Sequence, residues 1–479
     1  MSVLSGLEPQ SVFRFFEELC AIPHGSGHTK AISDHLAAFA RERGLAYRQD
    51  EANNVVIRKA ATAGYENAPT VMLQGHMDMV CEKEPDCGKN METEGLDLFV
   101  EGDTVGARGT TLGGDDGIAV AMALAILDAD DIPHGPLECL FTVDEEVGMV
   151  GARALDASDL KAECMINIDS ETEKVLTVSC AGSTRAVCTF PVTREDFSGA
   201  ALTLTVDGLI GGHSGEEIQK GRANANVVMG RALCEIARRT ELRLVSVRGG
   251  SKDNAIPRDA AAAIVVSDVQ AARAAAAALD AALKNEYRAT DAGVRVTLAE
   301  AKAEGRPMTA ESTRRVSTFL FCAPNGVQMM SAEVPGLVQT SLNMGQALTE
   351  GDTVVVRFMV RSSVNTQKDE TTAKVVALAE ALGGSVEIPA SYSAWEYRAD
   401  SPLRDTVIEA FRAVYGEEPR VEALHAGLEC GILSGKMPRL DCISYGPDLT
   451  NIHTPRERLH IASTQRVWAL TLETLKRLK

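Results

Sequence analysis

The feature that most constrains this chain is a pattern repeated at widely separated places: a short apolar run that ends in carboxylates or leads to a histidine. Leu73-Gln-Gly-His76-Met-Asp78 ends a run over 70–74, and Phe141-Thr-Val-Asp-Glu145-Glu146 ends one over 137–143. Met165-Ile-Asn-Ile-Asp169 ends a third over 164–168, and Ser444-Tyr-Gly-Pro leads from a fourth toward His453. Short apolar runs bounded by turn residues read as buried strands of a parallel sheet. Open α/β sheets carry their sites beyond the carboxyl ends of such strands. The pattern therefore predicts one sheet edge at which two histidines and several acids meet.

Helical periodicity over 8–20, 31–43, 117–128, 403–415 and 464–478 is interspersed with these runs and predicts an α/β layer fold. The stretch 117–128 is apolar on most faces, hence buried. The segment 81–110 reads as irregular and acidic. Between about 177 and 392 the character changes. Runs such as Ala201-Leu-Thr-Leu-Thr-Val-Asp and Thr353-Val-Val-Val-Arg-Phe-Met-Val alternate with period two, as half-exposed antiparallel strands do. Helices are expected among them over 223–239, 269–283 and 371–382. A chain of 479 residues exceeds one hydrophobic core. The expected organisation is a catalytic α/β domain from 1–182 and 395–479, with a mixed, mainly parallel sheet flanked by helices. It is interrupted by an inserted α+β lid domain over 183–394.

Composition narrows the partners. A formal net charge of −19 disfavours nucleic acid and anionic membrane surfaces. The 11 cysteines are scattered without a CxxC pair, which reads as reduced thiols in a cytoplasm. No apolar run is long enough to span a bilayer, and the amino terminus lacks the basic start and unbroken apolar stretch of a signal peptide. A soluble cytoplasmic protein is expected.

Each chemical motif has an ordinary explanation when taken alone. His76 can be a core histidine beside a surface acid, although Asp78 two residues on would share its face of a strand and fix the ring. In Thr111-Leu-Gly-Gly-Asp115-Asp116-Gly, one aspartate can cap the buried helix while the other enters a cleft. Asp144, Glu145 and Glu146 repel one another unless a cation neutralises them or water solvates them. Their joint occurrence at strand ends is more informative. Histidine and carboxylate donors suit zinc, manganese or cobalt. A carboxylate shared by two ions, with two further ligands for each, makes a two-metal site and leaves one carboxylate as base.

With Gly75-His-Met-Asp-Met, Gly113-Gly-Asp-Asp-Gly, Asp144-Glu-Glu-Val-Gly, Ile168-Asp-Ser-Glu, Gly211-Gly-His-Ser-Gly and Asn451-Ile-His-Thr-Pro, essentially the whole chain resembles one family. It is the zinc-dependent aminoacylase, carboxypeptidase and carnosinase-like metallopeptidase family. The resemblance implies that Asp115 bridges two divalent ions, zinc with cobalt or manganese as alternatives. His76 and Asp169 would complete one site, and Glu146 and His453 the other. Asp78 would orient His76, and Glu145 would be the general base toward a water activated between the ions. A cis peptide is implied between Asp115 and Asp116. From the lid, His213 would stabilise the oxyanion, Asn254 would touch substrate, and Arg361 would pair with its free carboxylate. Gly427 and Glu429 match a loop whose backbone holds a substrate carboxylate in relatives, with His425 either a further contact or structural.

The implied substrate is an unblocked dipeptide, Xaa-His preferred. An N-acyl amino acid is the alternative, and a non-catalytic metal-binding relative is a third reading that the intact set of ligands and base disfavours. The insert is larger than a single lid, which suggests two similar subdomains presenting His213 in cis. A monomer would then be competent, with homodimerisation still compatible.

Overall fold

The computed structural model describes residues 2–302 and 305–479. The chain divides into two compact units. One comprises Met1–Ser179, Tyr397–Ala423 and Leu428–Lys479, and the other Cys180–Glu396 and Leu424–Gly427.

The first unit is built on an eight-stranded sheet. Its order is Ala46–Gln49, Val55–Lys59, Leu137–Thr142, Val71–His76, Cys164–Asn167, Asp441–Ser444, Val175–Cys180, Arg420–Leu424. The four strands from Leu137–Thr142 to Asp441–Ser444 run parallel, and antiparallel strands flank them. All residues of these four strands are buried, which is why apolar residues dominate their sequences despite polar ones such as Gln74, Glu138 and Asn167. Helices Gln10–Cys20, Gly114–Asp128, Pro402–Tyr415 and Ile461–Arg477 contribute to one continuous core. The helix Gly114–Asp128 is buried along its length apart from its last residue. It is regular only beyond Asp116, because Asp115 (φ −82, ψ 104) and Asp116 (φ −116, ψ 29) are not helical.

The second unit contains a nine-stranded antiparallel sheet, with burial alternating along strands such as Ala200–Asp207. Its two halves join at the middle through only two register pairs, Arg248–Leu348 and Gly249–Ala347. Helices Ala225–Ala237, Val269–Glu286, Ala310–Cys322 and Asn365–Ala381 pack into its core.

Three elements differ from the sequence reading. The segment 81–110, expected to be irregular, contains the hairpin Leu98–Glu101 and Thr104–Ala107, turned at Gly102 with φ +59. The helix expected over 371–382 begins at Asn365, since its polar first turns show no apolar period. Ala310–Cys322 was not expected: Thr309 caps it by accepting the Ser312 N–H, and only Val316, Phe319 and Leu320 mark its buried face. Among the described residues, no helix is long and apolar enough to cross a membrane.

Candidate active site and metal centre

The parallel strands deliver their chemistry at their carboxyl ends, as the alternation of strands and helices requires. His76 is the last residue of Val71–His76, and Asp144, Glu145 and Glu146 follow Leu137–Thr142. Asp169 follows Cys164–Asn167, and His453 lies in the connection after Asp441–Ser444. Asp144 and His453 sit in the left-handed region at φ +56 and +59, the sharp turns that bring their loops back over the sheet edge.

At the centre is Asp115. Its Oδ1 lies 3.1 Å from His76 Nε2 and its Oδ2 3.2 Å from His453 Nε2, so each oxygen faces a different imidazole. Asp169 Oδ1 stands 3.6 Å from His76 Nε2, and Glu146 Oε1 stands 2.9 Å from His453 Nε2. The five side chains thus form two groups that share Asp115. Asp116 turns the other way: its Oδ2 accepts the His76 backbone N–H at 3.3 Å and covers Gly75, where a Cβ would lie 2.6 Å from that oxygen. Donor atoms of His76, Asp116 and Asp169 also lie within 4.8 Å of one another, as do those of His76, Asp115 and Glu146. The peptide bond between Asp115 and Asp116 is cis.

The alternation argument for Asp78 does not hold, because the strand ends at His76. It is the main-chain carbonyl of Asp78 that meets His76 Nδ1 at 2.9 Å, with its carboxylate farther off at 3.5 Å. That carboxylate accepts instead from Ser26 Oγ at 2.8 Å and from the backbone N–H groups of Glu145 at 3.0 Å and Glu146 at 3.4 Å. Asp78 therefore ties the His76 ring to the loop that carries the two glutamates.

The electrostatics describe a centre with too much negative charge. Burial disfavours a charged His76, yet Asp115, Asp169 and Asp78 hold its pKa well above the ordinary imidazole value. Hydrogen bonds to Asp115 and Glu146 push His453 up to about 10. Burial, with neighbouring acids, pushes Asp169 up to about 6 and Glu145 well above the carboxylate range. Glu171, although water reaches its side chain, is pushed up to about 8 by desolvation and by Asp115 and Asp169. The raised pKa values favour protons at positions where the donor set suits cations. Two imidazoles and an excess of carboxylates, with a carboxylate facing both, fit a pair of divalent ions of the zinc, cobalt or manganese type.

In the second unit, the short strand Gly212–His213 pairs with Ala255–Ile256, which places Asn254 beside it; the Ser214 N–H donates to the Asn254 carbonyl at 2.9 Å. His213 Nδ1 accepts the Glu216 N–H at 3.2 Å. Arg361 is buried near the end of Thr353–Ser362 rather than exposed. A side chain at Gly427 would collide with the Tyr392 hydroxyl.

Glu429, expected to touch substrate, is fully buried in the first unit at the start of helix Glu429–Lys436. Its Oε2 accepts from Gln74 Nε2 and Thr142 Oγ1, both at 2.6 Å. It belongs to the floor of the strand ends, because Gln74, Thr142 and Asn167 form one buried polar row there.

Residues 72–477 match Peptidase family M20/M25/M40. The chain belongs to this family. It is 36% identical over 480 residues to a cytosol non-specific dipeptidase of Escherichia coli, spanning 99% of each chain. It superposes with TM-score 0.92 on an aminoacylhistidine dipeptidase from Vibrio alginolyticus, at 36% identity over 99% of this chain and 97% of that one. An aminopeptidase PepT from Bacillus cereus shares the fold, with TM-score 0.57 and 15% identity over 98% of this chain and 99% of that one. The chain is a hydrolase acting on peptide bonds, with its candidate ligands where parallel strands end.

One site residue of this M20/M25/M40 peptidase carried no sequence signal. Glu457 is buried, and its two oxygens accept the N–H groups of Leu112, Gly113 and Gly114 at 2.7, 3.1 and 2.8 Å, with Asp115 at 3.4 Å. It fills the anion-binding start of the buried helix and so sets the backbone from which Asp115 projects. In sequence it sits between Arg456 and Arg458, which reads as solvated surface.

Proposed function

We propose that this peptidase is a two-metal dipeptidase that hydrolyses unblocked dipeptides, Xaa-His among them. The observation that carries the reading is Asp115, each of whose oxygens lies beside a different imidazole. His76, Asp115 and Asp169 would hold one ion, and His453, Asp115 and Glu146 the other. When bound, the two ions supply Lewis-acid polarisation of the scissile carbonyl and lower the pKa of the attacking water.

The remaining steps belong to the chain. Glu145 takes the water's proton and returns it to the departing nitrogen. Its backbone N–H donates to the Asp78 carboxylate, which anchors the loop that carries it. His213 serves as the neutral donor to the developing oxyanion. Burial, then Arg361, keeps its pKa low, and with Nδ1 accepting from Glu216 the ring proton sits on Nε2. Arg361 pairs with the substrate carboxylate, and Asn254 and the Gly427 loop complete the contacts.

The relatives' names support a dipeptide and differ on its breadth, one non-specific and one directed to aminoacyl-histidine. Zinc as the resident metal, a cytoplasmic setting and competence as a monomer belong to the same proposal. Turnover rates of the metal-reconstituted protein on Xaa-His dipeptides, other dipeptides, N-acetyl amino acids and longer peptides test it. Dipeptides should be turned over fastest; preference for N-acetyl amino acids would replace this reading with an amidohydrolase. Specific activity should survive dilution to monomer, and its loss on dilution would mean that a second copy completes the site.

A further inference from the structure

The second unit contains a cluster of buried polar side chains whose hydrogen-bonding capacity its own chain leaves unused. Ser341 and Arg361 are direct partners in the antiparallel pairing of Val338–Glu350 with Thr353–Ser362, so their side chains share one face. Ser341 Oγ lies 2.7 Å from His425 Nε2, which seats the imidazole beside Arg361. From the other side, a Cβ built on Gly215 would lie 2.6 Å from the His425 carbonyl and 3.1 Å from the His213 ring. Ser214, Arg361 and His425 are all at least nine-tenths buried, at 2%, 7% and 7% exposure.

Three atoms in this cluster have no hydrogen-bond partner among the described residues: Ser214 Oγ, Arg361 Nε and His425 Nδ1. Buried polar atoms are rarely left so, and each normally marks an absent partner. Of the two acids nearest Ser214 in sequence, Glu216 is exposed, and Glu217 is already engaged by Lys220, Arg222 and the His213 N–H. The Ser341 hydroxyl can donate to His425 Nε2, which leaves the imidazole proton on Nδ1. Burial, then Arg361 and His213, holds His425 down to about 3, so the ring is neutral. A guanidinium N–H, a hydroxyl and a neutral imidazole N–H together match a single carboxylate, which offers about four lone-pair directions.

We infer that His425, seated by Ser341, is a specificity residue that donates from Nδ1 to the substrate's terminal carboxylate alongside Arg361 and Ser214. The inference rests on the proposed function only for what carries that carboxylate, since dipeptides and N-acyl amino acids both end in one. Because donors in this set would lack an acceptor when the substrate ends in an amide, the set discriminates free acids from amides.

The test compares wild-type holoenzyme with His425→Phe and Ser341→Ala on a dipeptide and on the same dipeptide with an amidated carboxyl terminus. His425→Phe should raise KM for the free acid by roughly 10- to 100-fold, the worth of one hydrogen bond to a charged group. KM for the amide and kcat for both should stay within about threefold of wild type, a difference too small to represent a lost contact. Ser341→Ala should move the same ratio in the same direction by less. Calorimetric titration of metal-loaded Glu145→Gln protein, with and without His425→Phe, gives the same acid-to-amide ratio without turnover. An N-acetyl amino acid and its amide serve in that titration if wild type fails to cleave dipeptides. That failure would count against the dipeptidase reading alone. Equal losses for acid and amide, or no change in either ratio, would overturn the role of His425.

Discussion

The carboxylate of Asp78 accepts the backbone N–H of Glu145 at 3.0 Å, while its carbonyl oxygen meets the Nδ1 of His76 at 2.9 Å. One residue therefore aligns a candidate metal ligand and the candidate base. Asp78→Ala removes the carboxylate from the loop but leaves the carbonyl that fixes His76. It should lower kcat by about 10- to 100-fold, as loss of supporting partners at metal sites does. Metal content by mass spectrometry should stay close to wild type. Loss of both ions in this variant would show that the carboxylate, rather than the carbonyl, holds the ring.

Asp115 and Asp116 are adjacent, yet the structure gives them different surroundings. Asp115 faces both imidazoles, whereas Asp116 is pressed over Gly75 and burial pushes its pKa well above the carboxylate range. Asp115→Asn should reduce bound metal below two ions per chain, and Asp116→Asn should retain two. Metal-to-protein ratios after dialysis measure this directly. The reverse result would transfer the bridge to Asp116.

Stability of the metal-free protein should fall as pH rises. Asp169, Glu171 and His453 have folded pKa values of about 6, 8 and 10, each above the ordinary value for its type. The native state keeps protons that the unfolded chain releases. This contribution is present in full below the unfolded values and is lost as pH passes through the folded ones. Thermal unfolding between pH 7 and 9, above the range where histidines of lowered pKa such as His24, His134 and His425 act in the opposite sense, should therefore show a falling midpoint without metal and a flatter profile with zinc. A midpoint that rises across this window in the metal-free protein would mean that the acids are not crowded as described.

Glu457 accepts backbone N–H groups at the start of the buried helix, and among the described residues these groups have no other hydrogen-bond partner. Glu457→Ala should destabilise the first unit by at least about 2 kcal/mol, since each orphaned buried donor costs roughly 1–3 kcal/mol. Glu457→Gln should cost less. Denaturant titration followed by a probe in that unit reads the difference.

The fold of the first unit was legible because its central strands are buried on both faces, and continuous apolar runs are the signature of that environment. The site was legible for the same reason: His76, Glu146 and Asp169 lie within a few residues of those runs. What stayed hidden depends on long-range partners. Glu457 acts on Leu112, 345 residues away, and nothing local separates it from a surface glutamate. His425 shows its setting only through Ser341, on a strand 84 residues earlier. The hairpin Leu98–Glu101 and Thr104–Ala107 is half exposed, and its weak alternation was lost in an acidic stretch. Glu429 was placed by its loop in the family pattern, but packing turned its carboxylate into the strand floor.

In the proposed reaction His76, Asp115, Glu146, Asp169 and His453 would hold two ions that supply Lewis-acid polarisation, and Glu145 moves the proton. The most direct measurement pairs metal stoichiometry with turnover of an Xaa-His dipeptide for wild type and Glu145→Ala. Two ions per chain are expected in both proteins, with kcat lower in the variant by about 10²- to 10⁴-fold, the usual contribution of a general acid–base group. Near-normal turnover by Glu145→Ala, or a wild-type protein saturated by one ion, would contradict the proposed reaction.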